Sequence, residues 1–182
     1  TTENFERMLT GDRRLPGVLT VTAIYVLGTL AIFNLTYGLV LALVTTSMPA
    51  GAGAFFRAAW LLPRMSPSVV YALLWGWVVA PTDYGLLNQT LGAFGLPPID
   101  IKSDAPVVLI ILANGFIGAS FGMIIFTSAI RAIPQHLFWA ARVDGASGLA
   151  IVRHITLPAI RWQISFVTVY QALSLLVSFE YI

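Results

Sequence analysis

Charged residues are sparse along this chain and leave four long gaps. No Asp, Glu, Lys or Arg occurs between Arg14 and Arg57, between Arg64 and Asp83, between Asp104 and Arg131, or between Arg161 and Glu180. The hydrocarbon core of a bilayer needs about 20 apolar residues in a helix, with a range of roughly 17–25. The first and third gaps exceed this comfortably. The second and fourth sit near the lower limit but are rich in Leu, Val, Ile and aromatics. Only helices and closed barrels satisfy backbone groups in hydrocarbon, and no gap alternates with a period of two, so the pattern predicts helices. The expected spans are about Val18–Val44, Ser66–Ala80, Val107–Ile130 and Ile160–Ile182. An alternative start for the second lies nearer Phe55, entering through Pro63 and Pro67. Trp60, Trp75, Trp77 and Trp162 fall near span ends, where amphipathic rings favour the interface.

Composition agrees with the pattern. The chain is 58% hydrophobic and 10% charged, where soluble domains carry about 25% charged residues, and its mean hydropathy is +0.84. A net charge of +2 is too small for a nucleic-acid surface. Cysteine is absent, which removes disulfides, thiolate nucleophiles and cysteine metal sites. The opening "TTENFERMLTGDRR" holds no initiator Met or signal peptide, and the close "LLVSFEYI" falls in apolar sequence. The expectation is one all-α, multi-pass transmembrane helical bundle over residues 1–182, with about four spans and incomplete at both ends.

Four spans alternate sides, so Thr45–Met65 and Arg131–Arg161 share a face. These connections carry Arg57, Arg64, Arg131, Arg142, Arg153 and Arg161; the other face carries Arg7, Arg13, Arg14 and Lys102. The Lys and Arg bias orients residues 131–158 to the cytoplasm and the loop 81–105 to the outside, and a cytoplasmic (inner) membrane is the expected location. Asn88-Gln89-Thr90 in the outer loop matches a glycosylation acceptor.

The segment "WAARVDGASGLAIVRHITLP" is unusual for a mere turn. "IPQHLFWAARVDG" reads as a short helix begun by Pro134 and stopped by Gly145, with Asp144 placed to cap a second short helix and Pro158 to begin the next span. Leu137, Phe138 and Trp139 make an apolar cluster that membrane or protein must cover. Physics leaves two readings open: an amphipathic pair lying in the headgroups, or a docking site for a cytoplasmic partner.

Several motifs in this region and beyond it occur in an order that resembles one family. Ala140-Ala141, Gly145 and Ile155-Thr156-Leu157-Pro158 match the spacing of the "EAA" loop in permease subunits of bacterial ABC importers. Asp144-Gly145-Ala146 and Ile133-Pro134 resemble its carbohydrate-uptake (maltose and glycerol-phosphate) branch. "FFRAAWLLP", "GLLNQTLGAFGLPP" and "FGMIIFTSAIRAIP" agree. The resemblance implies that residues 131–158 form a coupling loop seated in a cleft of a separate ATPase, carried by Leu137, Trp139, Ala140, Ala141, Arg142, Asp144 and Gly145. It implies as partners a second permease (identical or different), two ATPase subunits that bind ATP and Mg, an extracytoplasmic solute-binding protein and membrane lipid, with no nucleic acid and no cofactor on this chain. Two positions depart from the family: Trp139 stands where its Glu is usual, and His136 where an acid is usual.

Polar residues inside spans face a bundle or a cavity. Gln171, Ser174 and Ser178 recur three and four apart, hence on one helical face, and Gly118 and Gly122 have the GxxxG spacing of close helix packing. Helix–helix contact is the plainer reading of both, as it is for Asn34 and Asn114. The family resemblance instead implies a sugar held between these two helices, touched by Gly118, Phe121, Gln171, Ser174 and Ser178. Catalysis is not expected: both histidines, His136 and His154, lie in the loop without zinc-pair spacing, no span contains His or Asp, and no GxxxxGK[ST] phosphate loop occurs. The family resemblance therefore implies translocation of a sugar or polyol. The rivals are a permease for an amino acid or ion, and a membrane scaffold.

Overall fold

The computed structural model describes residue 2 and residues 11–82 and 84–177; Ser178 and Glu180 lie outside the described residues. Helices and turns build them, with no strand among them. The first helix, α1 (Leu15–Ser47), and the sixth, α6 (Pro106–Ala132), are each long and apolar enough to cross a membrane. Both overrun the spans expected from charge gaps, because helical hydrogen bonding continues past the hydrocarbon edge.

The packing of α1 on α6 follows from small residues. Gly115, Gly118 and Gly122 form a stripe at helical spacing on α6. A Cβ on Gly122 would collide with the backbone oxygen of Asn34, and one on Gly118 with the Asn34 Oδ1. Removing side chains here lets the two backbones approach, the source of dispersion contact where lipid offers no hydrophobic drive. Facing this stripe, residues Thr29–Tyr37 of α1 adopt a π-helical turn. Asn114 Nδ2 donates to the Tyr25 hydroxyl across the same pair. The expectation that Asn34 and Asn114 are packing residues agrees with these contacts.

The second crossing differs from its expected form. The helix inside Ser66–Ala80 is α3 (Ser68–Val78), 11 residues long, too short to traverse a bilayer alone. It follows α2 (Ala50–Met65), from which it is separated by an extended Ser66 (φ −76°, ψ 143°). Pro67 forces that break, since the residue before a proline is pushed out of the helical region. The α2 helix runs back along α1: Arg57 Nη1 donates to the carbonyl of Thr45 near the C-terminus of α1 at 3.0 Å, and the Trp60 ring meets Tyr37 at 5.5 Å and Phe116 at 4.7 Å. Trp60 therefore packs within the bundle rather than at a span end. Beyond the break the Tyr71 hydroxyl donates to the carbonyl of Ala113 at 2.9 Å. The kinked entry through Pro63 and Pro67 matches this course; a continuous span from Ser66 does not.

At the far end lie two short helices, α4 (Leu86–Ala93) and α5 (Ile101–Asp104). Asn88 is buried there, its Nδ2 donating to Ala80 and Ile99 carbonyls and its Oδ1 accepting from the Ile99 amide. Its amide nitrogen is committed to holding the loop.

The remaining helices are α7 (Gln135–Val143), α8 (Gly148–Ala159) and α9 (Arg161–Val177), the last two bent by 70°. The bend follows a π turn at Val152–Thr156 and Pro158, which cannot donate to the helical ladder. Pro158 thus sits near the end of α8 rather than opening the last span, and α9 starts at Arg161. The apolar core lies at this loop end: Ala42, Phe126, Ile130, Ile133, Ile160 and Val167 cluster, with Phe138 and Ile155 packed on them.

Candidate functional site

The α7 helix is short because its ends are specified. Pro134 precedes the first turn with extended backbone (φ −59°, ψ 129°). At the other end Gly145 takes φ +76°, a left-handed conformation that glycine adopts without Cβ strain. The Gly145 amide then bonds to the Arg142 carbonyl at 3.1 Å and the Ala146 amide to the Ala141 carbonyl at 2.9 Å, so the last carbonyls of the helix are satisfied. Asp144 closes α7 instead of capping α8. The cap of α8 is Ser147, whose Oγ accepts from the Ala150 amide at 3.3 Å; it has the extended backbone that an N-cap needs, which Asp144 lacks.

Helical spacing divides α7 into two sides. Phe138 and Ala141 turn inward and are partly buried, Phe138 against the core of the loop end. His136, Trp139, Ala140 and Val143 turn outward. Trp139 is 62% exposed and Val143 87%, and Leu137 and Arg142 flank them, also exposed. Gly145 and Asp144 are exposed at the tip. The result is an apolar knob, stiffened by a capped helix and bolted to the spans by one aromatic side chain.

The residues expected along a ligand path fall on two different surfaces. Gln171 is buried, and its Nε2 donates to the Gly118 carbonyl at 3.2 Å. Gly118 is itself covered by Asn34. These two residues join α9 and α1 to α6. Ser174, although three residues from Gln171, is exposed, and Ser178 lies outside the described residues. Phe121 stacks on Tyr170 at 4.8 Å with planes 23° apart, and Tyr170 on Phe166 at 6.0 Å and 20°.

Sequence reasoning missed Arg64, which it assigned to the connection between spans. Its guanidinium carbon sits 5.4 Å from the Phe121 ring centroid, level with the middle of α6. The available signal was its position between Pro63 and Pro67, a spacing that breaks a helix inside an apolar run. Among the described residues no group of three His, Asp or Glu gathers as a metal would require. The middle of the bundle also leaves the Asn34 amide and the Thr29 hydroxyl buried without a hydrogen-bond partner.

Comparison with known proteins finds similarity to membrane transport subunits. No protein-family model matches the chain. It is 28% identical to the diacetylchitobiose uptake system permease protein NgcF of Streptomyces coelicolor, over 99% of this chain and 54% of that protein. It is 29% identical to the galactooligosaccharides transport system permease protein GanP of Bacillus subtilis, over 87% of this chain and 39% of that protein. The chain spans about half the length, or less, of these curated relatives. The fold matches a chain in the crystal structure of a bacterial alginate ABC transporter in complex with alginate pentasaccharide-bound periplasmic protein. That match has a TM-score of 0.82 and 25% identity, and covers 97% of this chain and 62% of the other.

Proposed function

We propose that the chain, similar to permease subunits of carbohydrate ABC importers, forms part of the membrane path for a saccharide and is driven through α7 by a separate ATPase. The knob on α7 carries this reading. Trp139, Ala140 and Val143 offer an apolar face to a cleft, with Leu137 and Arg142 at its edges and Asp144 and Gly145 at its tip. A buried aromatic is a frequent anchor of binding energy. In this chain Trp139 takes the position of a family carboxylate, so shape and desolvation replace charge in the contact.

Transmission follows from what the inner side of α7 touches. Phe138 packs on the cluster formed by α1, α6 and α9, so a displacement of α7 moves the loop ends of the spans together. Packed cores shift between discrete arrangements rather than deforming continuously. Closure of two ATPases on ATP and Mg would draw this knob and that of a second permease together and tip the bundle between two accessible states. The loop end is then cytoplasmic, and α4 and α5 face an extracytoplasmic solute-binding protein. On this reading hydrolysis belongs to the ATPase.

The test is assembly in lipid nanodiscs of the full-length protein with a candidate second permease and ATPase from the same organism. Wild type retains the ATPase through purification and hydrolyses ATP faster when loaded binding protein is added. Trp139→Ala weakens ATPase retention by at least thirtyfold, corresponding to about 2 kcal/mol at a hot spot, with unchanged thermal stability because the side chain is mostly exposed. Undiminished retention in Trp139→Ala removes α7 as the docking element. A wild-type complex that binds no nucleotide-hydrolysing subunit returns the chain to the scaffold class.

A further inference from the structure

One side chain is out of keeping with its depth. Arg64 stands near the end of α2, just before the Ser66–Pro67 break, with its guanidinium over Phe121. At the usual rise, Phe121 lies about 16 Å along α6 from Ala132, roughly half the thickness of a 30 Å hydrocarbon core. The cation begins a row of three rings, Phe121, Tyr170 and Phe166, supplied by α6 and α9. Arg64 is exposed on this chain, and Tyr170 and Phe166 are 46% and 54% exposed.

A guanidinium at this depth is costly against lipid tails and occurs where it fronts a polar cavity or a counter-charge. The described acids do not provide one. Asp12, Asp100 and Asp104 lie at the far end and Asp144 on the loop. The face bearing the row therefore fronts the path rather than lipid, and the helix break beside it matches the midplane location of ligand sites in transporters built with discontinuous helices.

We infer that Arg64 is the charge-selecting residue of the path and that the transported saccharide carries a carboxylate, as a uronic acid does. The inference rests on the transport reading above. A planar guanidinium meets a carboxylate with two parallel hydrogen bonds, and an ion neutralises an unpaired cation in a low-dielectric setting better than hydroxyl dipoles do. The aromatic row adds a surface for the C–H face of the sugar ring. Recognition of a neutral sugar would need only the rings and amides, and would leave this cation without a counter-charge among the described residues.

The experiment measures equilibrium binding to the assembled full-length permease pair with its ATPases in nanodiscs. The probes are a trisaccharide of uronic acid units and its carboxyl-reduced neutral counterpart. Wild type is expected to bind the acid at least tenfold more tightly. Arg64→Lys keeps the direction of that preference at reduced size, and Arg64→Gln abolishes it while binding of the neutral probe changes less than twofold. Arg64→Met removes the cation by a different substitution and guards against a variant that fails to assemble. A wild type without preference for the acid, or an Arg64→Gln protein that keeps it, overturns the inference and leaves ATP-driven transport standing. Loss of ATPase recruitment in wild type instead overturns the transport reading and this inference with it.

Discussion

The outer face of α7 and the Arg64–Phe121–Tyr170 row are opposite exceptions to their surroundings. On α7 a polar stretch of sequence exposes Trp139 and Val143. In the row, an apolar stretch of sequence presents a cation and aromatic faces. Each is held by a rigid device that serves no other evident purpose: a glycine-terminated helix bolted by Phe138 in one case, a proline-broken helix in the other. Local agreement between sequence and environment holds through most of the bundle, and its violations concentrate where a partner or cargo is expected. Two parts of the packing also differ in composition. The loop end is a closed apolar cluster, whereas the middle combines a π turn with unpartnered Asn34 and Thr29, a composition suited to rearrangement.

The strongest way to break this contrast is to destroy the scaffold both regions share. Gly122→Leu drives a side chain into the Asn34 backbone, whose oxygen already occupies the place a Cβ on that glycine would take, and should cost about 3 kcal/mol or more. Thermal unfolding in detergent reads this as loss of the folded bundle, and a fully stable variant would show that α1 and α6 do not pack as described.

A smaller effect separates the knob from its lever. Phe138→Ala removes a partly buried ring from the loop-end cluster, for about 2 kcal/mol of stability. It should leave ATPase retention within threefold while lowering transported solute per ATP hydrolysed. Equal reductions in retention and transport would place Phe138 in the docking face instead of behind it.

The smallest effect divides the pair that sequence spacing joined. Gln171→Ala deletes one interhelical hydrogen bond to Gly118 and should cost about 0.6 kcal/mol. Ser174→Ala, on an exposed position, should leave the unfolding temperature unchanged and alter uptake kinetics. If instead Gln171→Ala changes uptake at unchanged stability, the buried residue reaches the path in another conformation of the bundle.

Much of this architecture could be read from the order of residues. Gaps in charge located the apolar segments, because an unpaired charge in hydrocarbon is costly wherever the chain goes. The α7 helix, its start at Pro134 and its stop at Gly145 were legible because proline geometry and a positive φ are local constraints. The cap of α8 was not: Asp144 and Ser147 are both good caps by residue type, and only the backbone angles decided for Ser147.

What the sequence determined, then, was composition by depth and the stiff local elements, since both arise from single residues meeting a solvent or a backbone angle. Tertiary structure decided which face each polar residue takes. Gln171 and Ser174 share a spacing yet part company, and Arg64, counted with a surface connection, comes to stand over Phe121 in the middle of α6. That outcome depends on how far α2 runs back along α1 before Pro67 breaks it, a course held by the contact of Arg57 with Thr45 and those of Trp60 with Tyr37 and Phe116.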